Sequence, residues 1–343
     1  GHLLCQQRHQ DHAVITLVYV QTSTDTVSRF TETKSAAELA DDFTDLLDEF
    51  TAWLKLRSDI IKQRNASIAT LKFPFPQYRT GQHEFAAAVY KAIYSRARLF
   101  VQAPTGTGKT ISTLFPTIKA MGSGLIQRAF YLTAKQSTRR VAEQAMALMA
   151  DAGLRAKSIT LTAKDTITFA DEPDDPSQNP YMLGYYDRLK PALHDLLEHE
   201  DQLTRSVIEA YARKHTLDPF EFSLDASLFC DVVICDYNYL FNPLVFLQRF
   251  FSEADDSQFF LVDEAHNLVS RARDMYTASL TNQDFIDLKQ ALTPFKGAAL
   301  TKVRRTMTRI VTTMNTLADQ LLNGQSLIFQ AAPLDDLTQM LTR

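Results

Sequence analysis

The chain has 343 residues, 45% of them hydrophobic and 22% charged, with a net charge of −4. These values exclude a largely disordered chain and a compact, strongly basic nucleic-acid module, and they leave room for two or three folded domains. The isolated cysteines Cys5, Cys230 and Cys235 exclude a disulfide framework and point to a reducing, cytoplasmic setting, and no apolar run reaches the roughly 18 residues that a membrane span needs.

The opening GHLLCQQRHQDH has no apolar core of signal-peptide length and no initiator Met, so a fragment or processed chain is expected. Residues 13–20, AVITLVYV, predict a strand, and residues 26–31 a second strand after a polar turn. Ser35 and Glu38 form a capping-box pattern. Behind it, Leu39, Phe43, Leu46, Leu47, Phe50, Trp53 and Leu54 recur at helical spacing through about residue 64. A hairpin and one helix cannot fold alone. They either pack on the rest of the chain or close a domain lying upstream.

Pro74 and Pro76 mark a boundary near residue 72. A helix is expected over 82–95, then a short buried strand, RLFVQ at 98–102, entering a glycine-rich turn. Helix 109–121 carries Pro116, where a kink is expected. Strand 129–133, helix 138–152 and strand 158–162 come next. This alternation predicts a parallel sheet covered on both faces. Residues 170–180, ADEPDDPSQNP, read as irregular and solvated, and two helices are expected over 183–199 and 201–214. Strands resume at 231–235 and 258–262. Residues 163–225 therefore read as an insertion within one domain, and the stretch after Asn267 is helical.

APTGTGKT, residues 103–110, has the spacing and the strand–turn–helix context of a P-loop, with Ala103 where the pattern has its first Gly. Gly106 and Gly108 permit the torsions that aim successive N–H groups at one anion, and a helix N-terminus adds positive potential. The predicted nucleotide ligands are Thr105, Gly106, Thr107, Gly108, Lys109 and Thr110. Lys109 reaches the β- and γ-phosphates, and Thr110 ligates Mg²⁺. FFLVDEAH, residues 259–266, is an apolar strand ending in two acids. Asp263 is placed to hold Mg²⁺, Glu264 to orient or deprotonate the attacking water, and His266 to couple the nucleotide to its surroundings. Either motif has a bland reading alone, a glycine turn or a polar strand end. Both in one α/β domain make a nucleotide site the better account.

APTGTGKT with DEAH resembles superfamily 2 helicases. FYLTAKQSTRRVAEQA (130–145), NPYMLGYYDRL (179–189), DPFEFSLD (218–225), DVVICDYNYLFNP (231–243) and FFLVDEAHNLVSRARDMY (259–276) resemble the bacterial branch of the DinG and XPD helicases, over about residues 65–280. The resemblance implies a RecA-like P-loop NTPase with helical insertions: an ATP- and Mg²⁺-dependent motor that unwinds DNA 5′ to 3′ from a single-stranded segment. FPFPQYRTGQ (73–82) resembles the family's adenine-side motif, which implies that Gln82 reads the adenine edge and Arg79 supports it. The resemblance also implies phosphate contacts from Lys135 and Arg139, which the residues alone allow to be an ordinary polar loop. Tyr237 could stack on a base, although a packing tyrosine is the plainer reading.

Two departures from the family stand out. Its iron–sulfur cysteines would fall near Thr168, Asp174, Asn179 and Asp218, none of which is Cys, so no cluster is expected. Tyr181, Tyr185, Tyr186 and Phe220 are the candidates for holding the insertion together instead. There is also no second parallel-sheet pattern. The expected organisation is a hairpin and helix over 1–64, resembling the tail of a RecB-like nuclease domain; a first motor domain over 65–162 and 226–270; the insertion over 163–225; and an arch-like start over 271–343. The second motor domain and its arginine finger are expected in the intact protein, so the isolated chain should bind ATP but hydrolyse it weakly. Alternatives are a non-catalytic nucleotide- or DNA-binding adaptor and a DEAH-class RNA helicase.

Overall fold

The computed structural model describes residues 1–21, 24–104, 106–173, 175, 177–245, 247–251 and 256–322. Contacts divide the chain into two units, residues 1–271 and 272–343. In the first unit a short helix α1 (His2–Arg8) precedes an antiparallel hairpin, β1 (His12–Gln21) and β2 (Thr26–Ser35). Helix α2 (Ala36–Thr70) starts at the predicted box: Ser35 Oγ accepts the Glu38 N–H, and the Glu38 carboxylate accepts the Ser35 N–H. It runs beyond the expected end near residue 64.

The core is a parallel sheet of five strands in the order β5–β4–β6–β3–β7. These are β3 (Arg128–Thr133), β4 (Ser158–Thr160), β5 (Gln202–Leu203), β6 (Val232–Asp236) and β7 (Gln258–Val262). Side chains alternate between its faces, as strand geometry requires. On one face Tyr131, Val232, Ile234 and Leu261 meet Ile68 and Leu71 from the α2 end, α4 (Lys109–Gly122) and α5 (Gln136–Asp151). On the other, Phe130 contacts Phe250, Phe251 and Phe260. Leu114, Ile118 and Met149 are wholly buried, each worth about 1.5–3 kcal/mol by area.

One expectation is corrected and two are extended. Residues 98–102 do not form a strand: the segment is irregular, with Leu99, Phe100 and Val101 exposed. A strand needs a ladder partner, and among the described residues β7 pairs with β3; a cavity of about 960 Å³ is lined by residues 97–103 and by residues 258–266. The stretch 163–225 is more than a helical insertion, since β5 adds an edge strand beside β4. The apolar stripe of α2 is only partly covered, because Leu46, Leu47, Phe50 and Leu54 remain exposed while Trp53 packs edge-on to Phe229.

Between the strands lie α3 (Gln82–Tyr94), α6 (Lys164–Ile167), α7 (Tyr185–His199), α8 (Arg205–His215), α9 (Pro219–Ser227), α10 (Asn238–Phe241) and α11 (Gln248–Phe251). Helix α12 (Leu268–Met275) comes after the DEAH turn. In the second unit α13 (Asn282–Ala291) packs on α14 (Ala298–Leu322), and the Arg304 guanidinium donates to the carbonyls of Leu292, Thr293 and Phe295 at the α13 C-terminus. No helix among the described residues is long and apolar enough to cross a membrane.

Candidate nucleotide site

The carboxyl ends of β3, β6 and β7 lie side by side, and the loops leaving them carry Lys135, Tyr237 and Asp263. Ligands of open parallel sheets collect at this edge. The P-loop turns beside it. Gly106 and Gly108 hold φ of 79° and 74°, in the left-handed region. A β-carbon on Gly108 would sit 2.2 Å from Gln82 Nε2. Helix α4 starts at Lys109, so its first N–H groups open onto the loop. Thr105 lies outside the described residues. Thr107 Oγ1 donates to the Pro104 carbonyl at 2.9 Å.

Gln82 and Arg79 contact the phosphate loop itself. Gln82 is buried; its Nε2 donates to the Thr107 carbonyl at 2.8 Å and its Oε1 accepts the Arg79 N–H at 2.7 Å. Arg79 Nη1 donates to the Gly106 carbonyl. In this conformation the pair braces the phosphate loop, with one N–H and the oxygen of the Gln82 amide engaged.

The two motifs meet directly. Lys109 Nζ donates to Glu264 Oε1 at 3.0 Å, joining residues 155 apart in sequence. His266 Nδ1 is 3.4 Å from Glu264 Oε2, with its own ring largely exposed. Tyr131, two residues before the end of β3, donates from its hydroxyl to Thr110 Oγ1 at 3.3 Å and lies near the Asp263 carboxyl. The adjacent acids are driven apart: burial raises the Asp263 carboxyl, whereas the bond from Lys109 lowers Glu264. A half-buried carboxyl beside a hydroxyl, a lysine held by Glu264 and a loop whose Gly108 leaves no room for a β-carbon fit a magnesium nucleotide. Thr110 and Asp263 would hold the metal, and Lys109 the phosphates. Tyr131 was missed in the sequence; the one signal was a hydroxyl-bearing residue within an apolar strand.

The expected nucleic-acid contacts separate. Lys135 is exposed on the loop after β3. Arg139 is mostly covered, with its Nη2 3.7 Å from Asp236 Oδ2. Tyr237 is corrected: it is fully buried and offers no ring face to a base.

At the family's cluster positions, Asp174 lies outside the described residues. Thr168, Asn179 and Asp218 carry no thiolate, so they do not suit an iron–sulfur centre. Asn179 Nδ2 donates to Glu172 at 3.0 Å, and Asp218 caps α9 by accepting the Glu221 N–H at 2.7 Å. Asp171 receives two bonds from Arg213, whose guanidinium lies 3.7 Å from the Phe169 ring centre. Arg213 and Tyr181 hold the Asp171 carboxyl well below the usual carboxylate range. Of the expected aromatic residues, Tyr181 and Tyr185 are buried, Phe220 lies under the Lys164 ammonium, and Tyr186 is exposed.

The DEAD_2 family model matches residues 185–285. Over 235 residues, 57% of this chain and 29% of the relative, the chain is 22% identical to the "General transcription and DNA repair factor IIH helicase subunit XPD/RAD3" of Saccharomyces cerevisiae. Over 47 residues, 14% of this chain and 7% of the relative, it is 40% identical to a "Probable ATP-dependent helicase" of Methanocaldococcus jannaschii. The chain thus spans less than a third of the length of either curated relative. A solved structure described as an XPD helicase aligns with 71% of this chain and 41% of its own at 16% identity and a TM-score of 0.47. The chain is thus similar in sequence to XPD-like helicases, through the family model over residues 185–285 and through partial matches to the curated relatives.

Proposed function

We propose that this chain is the ATP-binding motor part of an ATP-dependent DNA helicase of 5′ to 3′ polarity, working on DNA with a single-stranded segment and against a second motor domain. The observation that carries the reading is the Lys109–Glu264 contact, which brings the P-loop lysine and the acid of DEAH to one point at the sheet edge. In hydrolysis the water oxygen bonds to the γ-phosphorus and the bond to the β–γ bridging oxygen breaks. The water proton passes to the Glu264 carboxylate and then to solvent. Lys109 leaves Glu264 to follow the phosphate charge, which frees that carboxylate for water. Thr110 and Asp263 would hold magnesium, which would supply positive charge to the β- and γ-phosphates. Lys135 contributes a phosphate contact to the DNA path. Arg139 does so only by giving up Asp236. The insertion holds together without a cluster.

Calorimetric binding of a non-hydrolysable Mg²⁺–ATP analogue to the chain and to Lys109→Ala tests the site. Binding by the wild type that weakens at least about tenfold, or about 1.4 kcal/mol, in the variant is expected. Equal binding by both proteins would sink the assignment of the cradle.

A further inference from the structure

The Tyr237 hydroxyl has a place in the site that the hydrolytic scheme leaves unused. Strand β6 ends at Asp236, and the next residue reaches across the end of β3 to the tip of β7. There its hydroxyl donates to the main-chain carbonyl of Asp263 and, at 3.1 Å, to that of Glu264.

Glu264 needs such a partner. Its φ is 50°, in the left-handed region. A residue with a β-carbon is disfavoured there and persists only where its surroundings over-determine it. The Glu264 carbonyl collects the Tyr237 hydroxyl, the Asn267 N–H at 2.9 Å and Asn267 Nδ2 at 3.1 Å. The direction of the carboxylate is set by that backbone, and it is this carboxylate that meets Lys109.

The far end of the strut is also fixed. Asp236 accepts both of its oxygens' bonds from Arg271 Nη2 at 3.1 Å, takes the Asn238 N–H at 2.9 Å, and faces Arg139 Nη2 at 3.7 Å. The Nε atoms of Arg139 and Arg271 are buried with no hydrogen-bond partner among the described residues. Two guanidinium groups therefore grip one carboxylate immediately before Tyr237.

We propose that Tyr237 is a positioning residue for ATP hydrolysis: held from behind by Asp236 and its two arginines, its hydroxyl fixes Glu264 in the left-handed conformation that aims the carboxylate at the phosphate cradle. The inference rests on the hydrolytic reading of the site. Tyr237 touches no reacting atom, so its loss should slow the chemical step and spare nucleotide binding.

Tyr237→Phe removes the hydroxyl and keeps the ring. Three measurements on the whole chain test it, beside wild type and Glu264→Gln: single-turnover hydrolysis of Mg²⁺–ATP, binding of the non-hydrolysable analogue, and amide hydrogen exchange over residues 263–267. Analogue binding within about twofold of wild type, hydrolysis slowed about tenfold or more, and faster exchange at 264–267 are expected. Unchanged exchange overturns the proposal whatever the turnover. A rate loss matched by an equal loss of analogue binding overturns it too, since that marks a collapsed cradle. A wild type no faster than Glu264→Gln would instead fail the hydrolytic reading, and with it the catalytic consequence drawn here.

Discussion

Gly108 shows how a single position can serve both backbone and neighbour. Its φ of 74° is unfavourable for any residue with a β-carbon, and that carbon would strike Gln82 Nε2 at 2.2 Å. Gly106 shares the torsion, at 79°, but nothing lies within 4 Å of its missing β-carbon. Gly106→Ala should therefore incur only the torsional cost of about 1–2 kcal/mol, while Gly108→Ala also breaks the Gln82–Thr107 brace, worth about 1 kcal/mol more. Measured by titration with the Mg²⁺–ATP analogue, Gly108→Ala should weaken binding the more of the two, and equal losses would show that Gln82 does not brace the loop. The glycines, Lys109 and the DEAH acids were legible in the sequence because each motif is contiguous and carries its own geometry. Gln82 was legible as a nucleotide-site residue, but its bond to Thr107 was not, since it closes a gap of 25 residues that no local pattern encodes.

Among the elements, the C-terminal half of α2 shows the limit of reading boundaries from punctuation. The prolines suggest a break near residue 72, yet Ile68 and Leu71 belong to the main core, and a β-carbon on Gly122 would lie 2.3 Å from Ile68 Cγ2. Arg64, also on α2, is buried with its Nη1 2.5 Å from Asp231 Oδ1, whose second oxygen accepts the Lys157 N–H at 2.8 Å. Removing Arg64 leaves a buried carboxylate short of its cation, a loss usually worth about 3–5 kcal/mol. Arg64→Ala should lower stability by that order in urea denaturation, and a loss below about 1 kcal/mol would mean that α2 is only loosely docked. The segment at 98–102 carries the converse lesson. An apolar run favours a strand, but pairing is decided by whether a ladder partner is within reach.

For the whole molecule, the insertion is the test of how far resemblance extends. It contributes β5 to the main sheet, caps α9 with Asp218 and clasps Asp171 with Arg213. Exposed ion pairs of this kind add little each; the packing of α7, α8 and α9 around Leu196, Ile208 and Phe222, all fully buried, carries the stability. The protein purified without oxygen should hold far less than one iron per chain, and prolonged chelation should leave its thermal midpoint unchanged. Stoichiometric iron, or a midpoint that falls on chelation, would reverse this conclusion. By itself the sequence determined what is local: the period of the longer helices and of the central strands, the box at Ser35, the turn at Gly106 to Gly108, and the acids closing β7. Only the tertiary structure decided which of these meet. Lys109 joins Glu264, Tyr131 joins Thr110, Tyr237 joins the DEAH backbone, and the strand-like run at 98–102 stands away from β7. Each of those outcomes depends on packing and hydrogen bonding between segments far apart in the chain, and such contacts leave no period in the sequence.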